Sequence, residues 1–172
     1  MSEPSPIMKI GRLTVSDRAS RGEYQDLGGP AIETEMTKLF AGPFEWETRM
    51  VPDEPERIAA ALRELVDDHD CWLVLSTGGT GPAVRAVTPE ATRAVLEREL
   101  PGFGEAMRMG TLAKVPTAIL SRAVSGTRSR SLIINLPGNP KAIGECLPIL
   151  APAIAEAIDH LRDQRPVLTP TT

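Results

Sequence analysis

Apolar positions along the chain alternate between strand-like and helix-like spacing. Residues 8–16 (MKIGRLTVS) form a compact apolar run that predicts a buried strand. In residues 30–40, Ile32, Met36 and Leu39/Phe40 share one helical face, and Gly42-Pro43 stops the segment. A second strand is expected over Trp46–Val51. A helix across Pro55–Asp67 follows, where Ile58, Ala61, Leu62, Leu65 and Val66 repeat at helical intervals. Cys71–Ser76 is apolar without alternation, the pattern of a strand covered on both faces. The next helix is expected from Thr88 to Glu99, with Thr88 as N-cap and Pro89 in the first turn. Residues 101–116 mix Pro, Gly and Met and read as a long loop with room for one helix. Residues 117–124 and 130–136 read as two strands joined by the polar turn 125–129. A final amphipathic helix, Pro140–Arg162, carries Pro148 and Pro152, which are expected to break or bend it.

This order implies right-handed crossovers and a three-layer α/β fold. Its sheet is mostly parallel, mixed by one late hairpin, with helices on both faces. Residues 1–172 suit a single domain with loose Pro/Ser/Thr-rich termini at 1–7 and 166–172. In open α/β sheets, ligands lie outside the carboxyl ends of the strands. The most polar loops fall there: Ser16-Asp17-Arg18, Pro52-Asp53-Glu54, Ser76–Pro82 and Leu136–Pro140.

Composition narrows the chemistry. An apolar fraction of 41% supports a packed core, and 3% aromatic residues leave that core to small aliphatic side chains. Nineteen basic against 23 acidic residues give a net charge of −4, which argues against broad nucleic-acid or membrane-surface binding. The sequence shows neither a secretory leader nor a membrane span, so the cytosol is the expected compartment. Cys71 and Cys146 read as buried free thiols, and His69 and His160 as solvated helix-end residues.

Each rim loop has a structural and a functional reading. Thr77-Gly78-Gly79-Thr80-Gly81 can close backbone N–H groups around an anion, or can be a tight strand-to-helix turn. Gly138-Asn139-Pro140 can contribute to a site, or can simply cap the last helix. Asp53, three residues before Glu56, is either a helix cap or a carboxylate for Mg²⁺, and Asp17 has the same ambiguity. Arg18 and Arg21 suit phosphate, or ion pairs with Glu23 and Asp26.

In order along the chain, SDRASRGEYQDLGGP, ETRMVPDE, LSTGGTGPA, VTPEAT, PGFGEAMR, VPTAILSRAV and INLPGNPKAI resemble the MoaB/Mog family of molybdenum-cofactor biosynthesis. The likeness spans most of residues 8–145 and is nearest to the molybdopterin adenylyltransferase branch. It implies the molybdopterin-binding-domain fold, a homotrimer, and contact with the molybdate-insertion enzyme. The implied substrates are molybdopterin and ATP, with Mg²⁺ as cofactor. Attack of the molybdopterin phosphate on the α-phosphorus of ATP would expel pyrophosphate. Carried over by motif, Asp53 is the metal-linked aspartate, and Thr77, Gly78, Gly79, Thr80 and Gly81 bind phosphate. Ser16, Asp17, Ser121, Pro137, Gly138, Asn139 and Pro140 would lie on the pterin side.

One position departs from the family. Where an aspartate usually precedes the V/TP stretch, this chain has Ala86. Alanine neither ligates a cation nor accepts a hydrogen bond. The chain is then an inactivated form made to hold ligand, a natural variant in which Asp53 works with Glu90 or water, or a non-catalytic molybdopterin-binding or scaffolding module.

Overall fold

The computed structural model describes residues 6–170. Its strands are β1 Met8–Val15, β2 Phe44–Val51, β3 Leu73–Thr77, β4 Arg98–Glu99, β5 Ser125–Arg128 and β6 Ser131–Leu136. They form one sheet in the order β2-β1-β3-β6-β5-β4. The pairs β1–β2, β1–β3 and β3–β6 are parallel, whereas β5 runs antiparallel to both β6 and β4. The helices are α1 Asp17–Ser20, α2 Gly28–Leu39, α3 Pro55–Arg63, α4 Thr88–Arg93, α5 Gly102–Thr111 and α6 Pro140–Arg162.

Strand pleating sends alternate residues to two cores. Ile10, Leu73, Leu75, Leu132 and Ile134 pack beneath α2, α5 and α6 with Ile32, Met36, Phe103 and Leu147. Leu13, Val15, Val74 and Ile133 face α3 and α4, where Ile58, Leu62, Ala91 and Val95 cover them. The expected three-layer α/β architecture is therefore present. Because β1 has β2 on one side and β3 on the other, the connections diverge at the β1–β3 boundary. A crevice opens there, where the loops after Val15 and Thr77 leave the sheet.

Several local expectations are corrected. The helix after Thr88 ends at Arg93 rather than Glu99, because Arg98 and Glu99 pair with Thr127 and Gly126 at the sheet edge. Its N-cap is Val87; Thr88 is the first helical residue and spends its hydroxyl on the glycine loop. The strand expected over 117–124 is absent. A 3₁₀ helix, Pro116–Leu120, and an extended segment replace it, and the hairpin turn lies at Ser129-Arg130. The extended segment is instead bonded through the Arg122 amide to Thr80 O and through the Val124 amide to the Asn135 side chain. Neither proline interrupts α6. Both are exposed, and the residues whose carbonyls lose donors, Gly144 and Pro148, are not buried.

The tail is not loose throughout: Ala41 N donates to Val167 O (2.8 Å) and Thr169 N to Leu39 O (2.9 Å). Residues 1–5 and 171–172, also expected to be loose, lie outside the described residues. His160 is exposed beside Glu156, but His69 is half-buried between Glu47 and Glu64, at 3.3 and 3.4 Å. No helix among the described residues is long and apolar enough to cross a membrane.

Cys71 and Cys146 are free and buried. Burial pushes the Cys71 thiol up to about 12 and Cys146 up to about 11. Since the thiolate is the reactive form, neither should alkylate with iodoacetamide in the folded chain at about pH 8. Intact-mass analysis checks this: two adducts are expected only after unfolding in guanidinium, and an adduct on the folded chain would contradict the packing.

Candidate active site at the carboxyl ends of the strands

At the end of β3 the chain turns against β1. Gly78 has φ +97°, and a Cβ there would collide with the carbonyl oxygen of Val15. At Gly79 a Cβ would strike the Thr88 hydroxyl and stand 3.1 Å from Asp53 Oδ1. Thr88 pins this loop from behind. Its hydroxyl donates to Gly78 O (2.9 Å) and its amide to Gly79 O (3.1 Å). In a planar trans peptide the N–H points opposite to the C=O. Holding those two carbonyls therefore turns the N–H groups of Gly79 and Thr80 the other way. The amides of Gly79, Thr80 and Gly81 donate to no acceptor among the described residues, while the Thr77–Leu136 pairing directs the Gly78 amide toward β6. Consecutive free donors of this kind form an anion-binding concavity.

Neither carboxylate caps a helix, since Ser16 is the N-cap of α1. Asp53 is not a helix cap: Glu54 holds the N-cap position of α3, without a side-chain bond. Instead Asp53 Oδ2 accepts from the Asp17 amide (2.9 Å), and Asp17 Oδ1 accepts from the Asp53 amide (3.0 Å). This reciprocal pair ties the ends of β1 and β2 together. Asp17 is also clasped by Arg85 Nε and Nη2, at 2.9 and 2.8 Å. The Asp53 amide above all, and then Arg85, hold the Asp17 carboxyl below its ordinary value. Asp53 Oδ1 has no partner among the described residues and faces Gly79.

Ser16 caps α1 by accepting from the Ala19 amide (3.1 Å). Asn139 caps α6 through Lys141 N (2.9 Å), so the capping reading holds for that side chain. Arg21 pairs with Glu23 and Arg18 lies over the Tyr24 ring, while Asp26 pairs with Arg12 rather than with either of them. Glu90 is bound by the guanidinium of Arg122, which holds its carboxyl below the ordinary range.

Two cavities flank the glycine loop. One of about 350 Å³ has Thr80, Gly81, Arg108, Ser121, Pro137 and Asn139 in its wall. The other, about 220 Å³, has Ser16, Tyr24, Thr77, Gly78, Gly138 and Pro140. Thr77 and Pro137 join the two loops, since Thr77 Oγ1 donates to Pro137 O (2.8 Å). The residues carried over to the pterin side thus divide: Ser121, Pro137 and Asn139 border the larger cavity, while Ser16, Gly138 and Pro140 border the smaller. Asp17 lies with Asp53 on the rim. Arg85, Thr88, Arg108 and Arg122 were not singled out from sequence as site residues. Only the adjacency of Arg122 to Ser121 offered a signal there.

A doubly covered, mostly parallel sheet with a free-amide loop and a carboxylate at its switch point defines an anion-binding α/β domain. The family model described as a probable molybdopterin binding domain matches residues 11–156, and the chain belongs to that family, the MoaB/Mog group of molybdenum-cofactor biosynthesis. It is 57% identical over 141 residues to the molybdopterin adenylyltransferase of Haemophilus influenzae, covering 82% of this chain and 72% of that one. To the molybdopterin adenylyltransferase of Escherichia coli K12 it is 54% identical over 153 residues, covering 89% and 78%. The crystal structure of the molybdopterin biosynthesis enzyme MoaB from Thermus thermophilus superposes with a TM-score of 0.84 at 44% identity, over 92% of this chain and 99% of that one.

Proposed function

We propose that this chain is a molybdopterin adenylyltransferase that uses Mg-ATP. The reading rests on the free amides of Gly79–Gly81 beside the open oxygen of Asp53, placed between two cavities. The names of the relatives support the same chemistry. A terminal phosphate oxygen of molybdopterin forms a bond to the α-phosphorus of ATP, the Pα–O–Pβ bond breaks, and pyrophosphate leaves with the electron pair. Both reactants are anions, so the site must offset charge and hold them in line.

The glycine-loop amides are fixed donors that need no reorganisation during transfer. The larger cavity, with Arg108 and Ser121 in a mostly apolar wall, suits the pterin. The smaller one, with Tyr24 and Ser16, suits the nucleoside, which moves Ser16, Gly138 and Pro140 from the pterin side, where the resemblance put them, to the nucleotide side. No protein nucleophile is required.

The residues present fit a magnesium ion. Mg²⁺ takes one or two carboxylates and fills its shell with phosphate oxygens and water. Asp53 offers one free oxygen, and no cluster of three candidate ligands exists among the described residues. Asp53 would hold the ion, which when bound neutralises phosphate charge. The enzyme works on this reading as a homotrimer in the cytosol and passes its product to a molybdate-inserting enzyme, features inherited from the family resemblance.

The test is transfer of label from α-³²P-ATP to molybdopterin, with pyrophosphate counted in parallel. Equal yields of both products are expected. Absence of transfer by the native chain and by its Ala86→Asp variant would overturn the reading.

A further inference from the structure

Between the glycine loop and α4 the chain crosses open ground. Residues 82–85 are exposed, and Val84 is 97% exposed. Hydrophobic packing does not hold such a segment; polar bonds do, from Arg85 to Asp17 within it and, at both of its ends, to Arg122. The Arg122 amide donates to Thr80 O (2.8 Å). Its side chain donates from Nε to Gly81 O (3.0 Å) and from Nη2 to Ala86 O (2.6 Å), and Nη1 pairs with Glu90. One arginine therefore touches the start, the far end and the helix beyond.

We propose that Arg122 is a positioning residue that sets the shape of the 81–86 loop and, through it, the phosphate donors of the site. This rests on the adenylyltransferase reading. Holding Thr80 O aims the Gly81 N–H away from Arg122, as Thr88 does for Gly79 and Thr80. Holding Gly81 O and Ala86 O then fixes the path between them, including Arg85, whose guanidinium clasps Asp17. Arginine suits this task because its planar fork serves several acceptors in fixed directions. Lysine supplies the charge without that fork.

The variants are Arg122→Met, which keeps an unbranched stem, Arg122→Lys, and Glu90→Gln, which keeps an acceptor. Two readouts are needed: amide exchange in the ligand-free chain, and titration of the chain with Mg-ATP. In Arg122→Met the Ala86 amide, bonded to Ala83 O at 2.9 Å, should exchange at least about tenfold faster, with β3 and β6 amides unchanged. Mg-ATP affinity should fall about tenfold in both Arg122→Met and Arg122→Lys, as expected when several directed bonds are lost. Glu90→Gln should stay within about threefold, because the bonds to Gly81 and Ala86 remain.

Native-like affinity in Arg122→Lys would show that charge alone matters, and would overturn the proposal. So would faster exchange throughout β3 and β6, which marks a general folding role, or an unchanged loop in Arg122→Met. If the native chain bound no Mg-ATP, the enzymatic reading would fail, while the exchange arm would still decide whether Arg122 shapes the loop.

Discussion

Asp53→Asn is expected to lower the rate of molybdopterin adenylylation by about 10²–10³-fold, the size seen when a charge-handling group is lost from a preorganised site. The substitution keeps the shape. An asparagine oxygen can still accept from the Asp17 amide, where Asp53 Oδ2 now lies at 2.9 Å. The other position, facing Gly79, becomes an NH₂ that repels a cation. Thermal stability should therefore change little, by about 1 kcal/mol or less. Binding of Mn²⁺ as a paramagnetic probe, in the presence of ATP, should weaken in parallel with the rate. Initial rates in the native chain and in the Ala86→Asp chain, each with and without Asp53→Asn, provide the check. An undiminished rate would remove Asp53 from the mechanism.

The opposite change is expected at position 86. Ala86→Asp should raise turnover by about 10²-fold, because it adds a carboxylate where the family places one. Ala86 is itself buried, so the added carboxylate would be enclosed by the loop rather than left in solvent. Ala86 N is bonded to Ala83 O and Ala86 O to Arg122, so the backbone is held whatever the side chain. Two residues on, Thr88 straps Gly78 and Gly79 beside Asp53, so position 86 is two residues in sequence from a support of the glycine loop. Comparable rates in both chains would mean that Asp53 and its neighbours suffice. In that case the same comparison in a Glu90→Gln background would show whether Glu90, now paired with Arg122, takes part. Binding of both substrates without turnover in either chain would favour a module that only binds.

Much of the architecture could be read from local pattern. The unalternating apolar run at Cys71–Ser76 marked a strand covered on both faces, and β3 is the central strand between β1 and β6. The helical spacing of Ile58, Leu62 and Leu65 marked the face that covers the second core. Errors fell where distant partners compete with local propensity. Arg98 and Glu99 continue a helical pattern, yet β5 recruits them into the sheet. Residues 121–124 have strand-like composition, yet only Val124 reaches β6, through Asn135, while Arg122 is drawn to Thr80 in the glycine loop.

The candidate site divides in the same way. Sequence determined which loops meet, because strand–helix alternation places every strand's carboxyl end on one rim, and it determined that glycines and a carboxylate stand there. Tertiary structure alone decided what each polar group does. Asp53 had an equally good local role as a cap and abandoned it for an amide 36 residues away. Glu90 was a candidate ligand until Arg122, 32 residues on, claimed it. A short polar side chain bonds to whichever donor the fold brings within about 3 Å. That choice is set by packing between strands, and no local pattern of residues contains it.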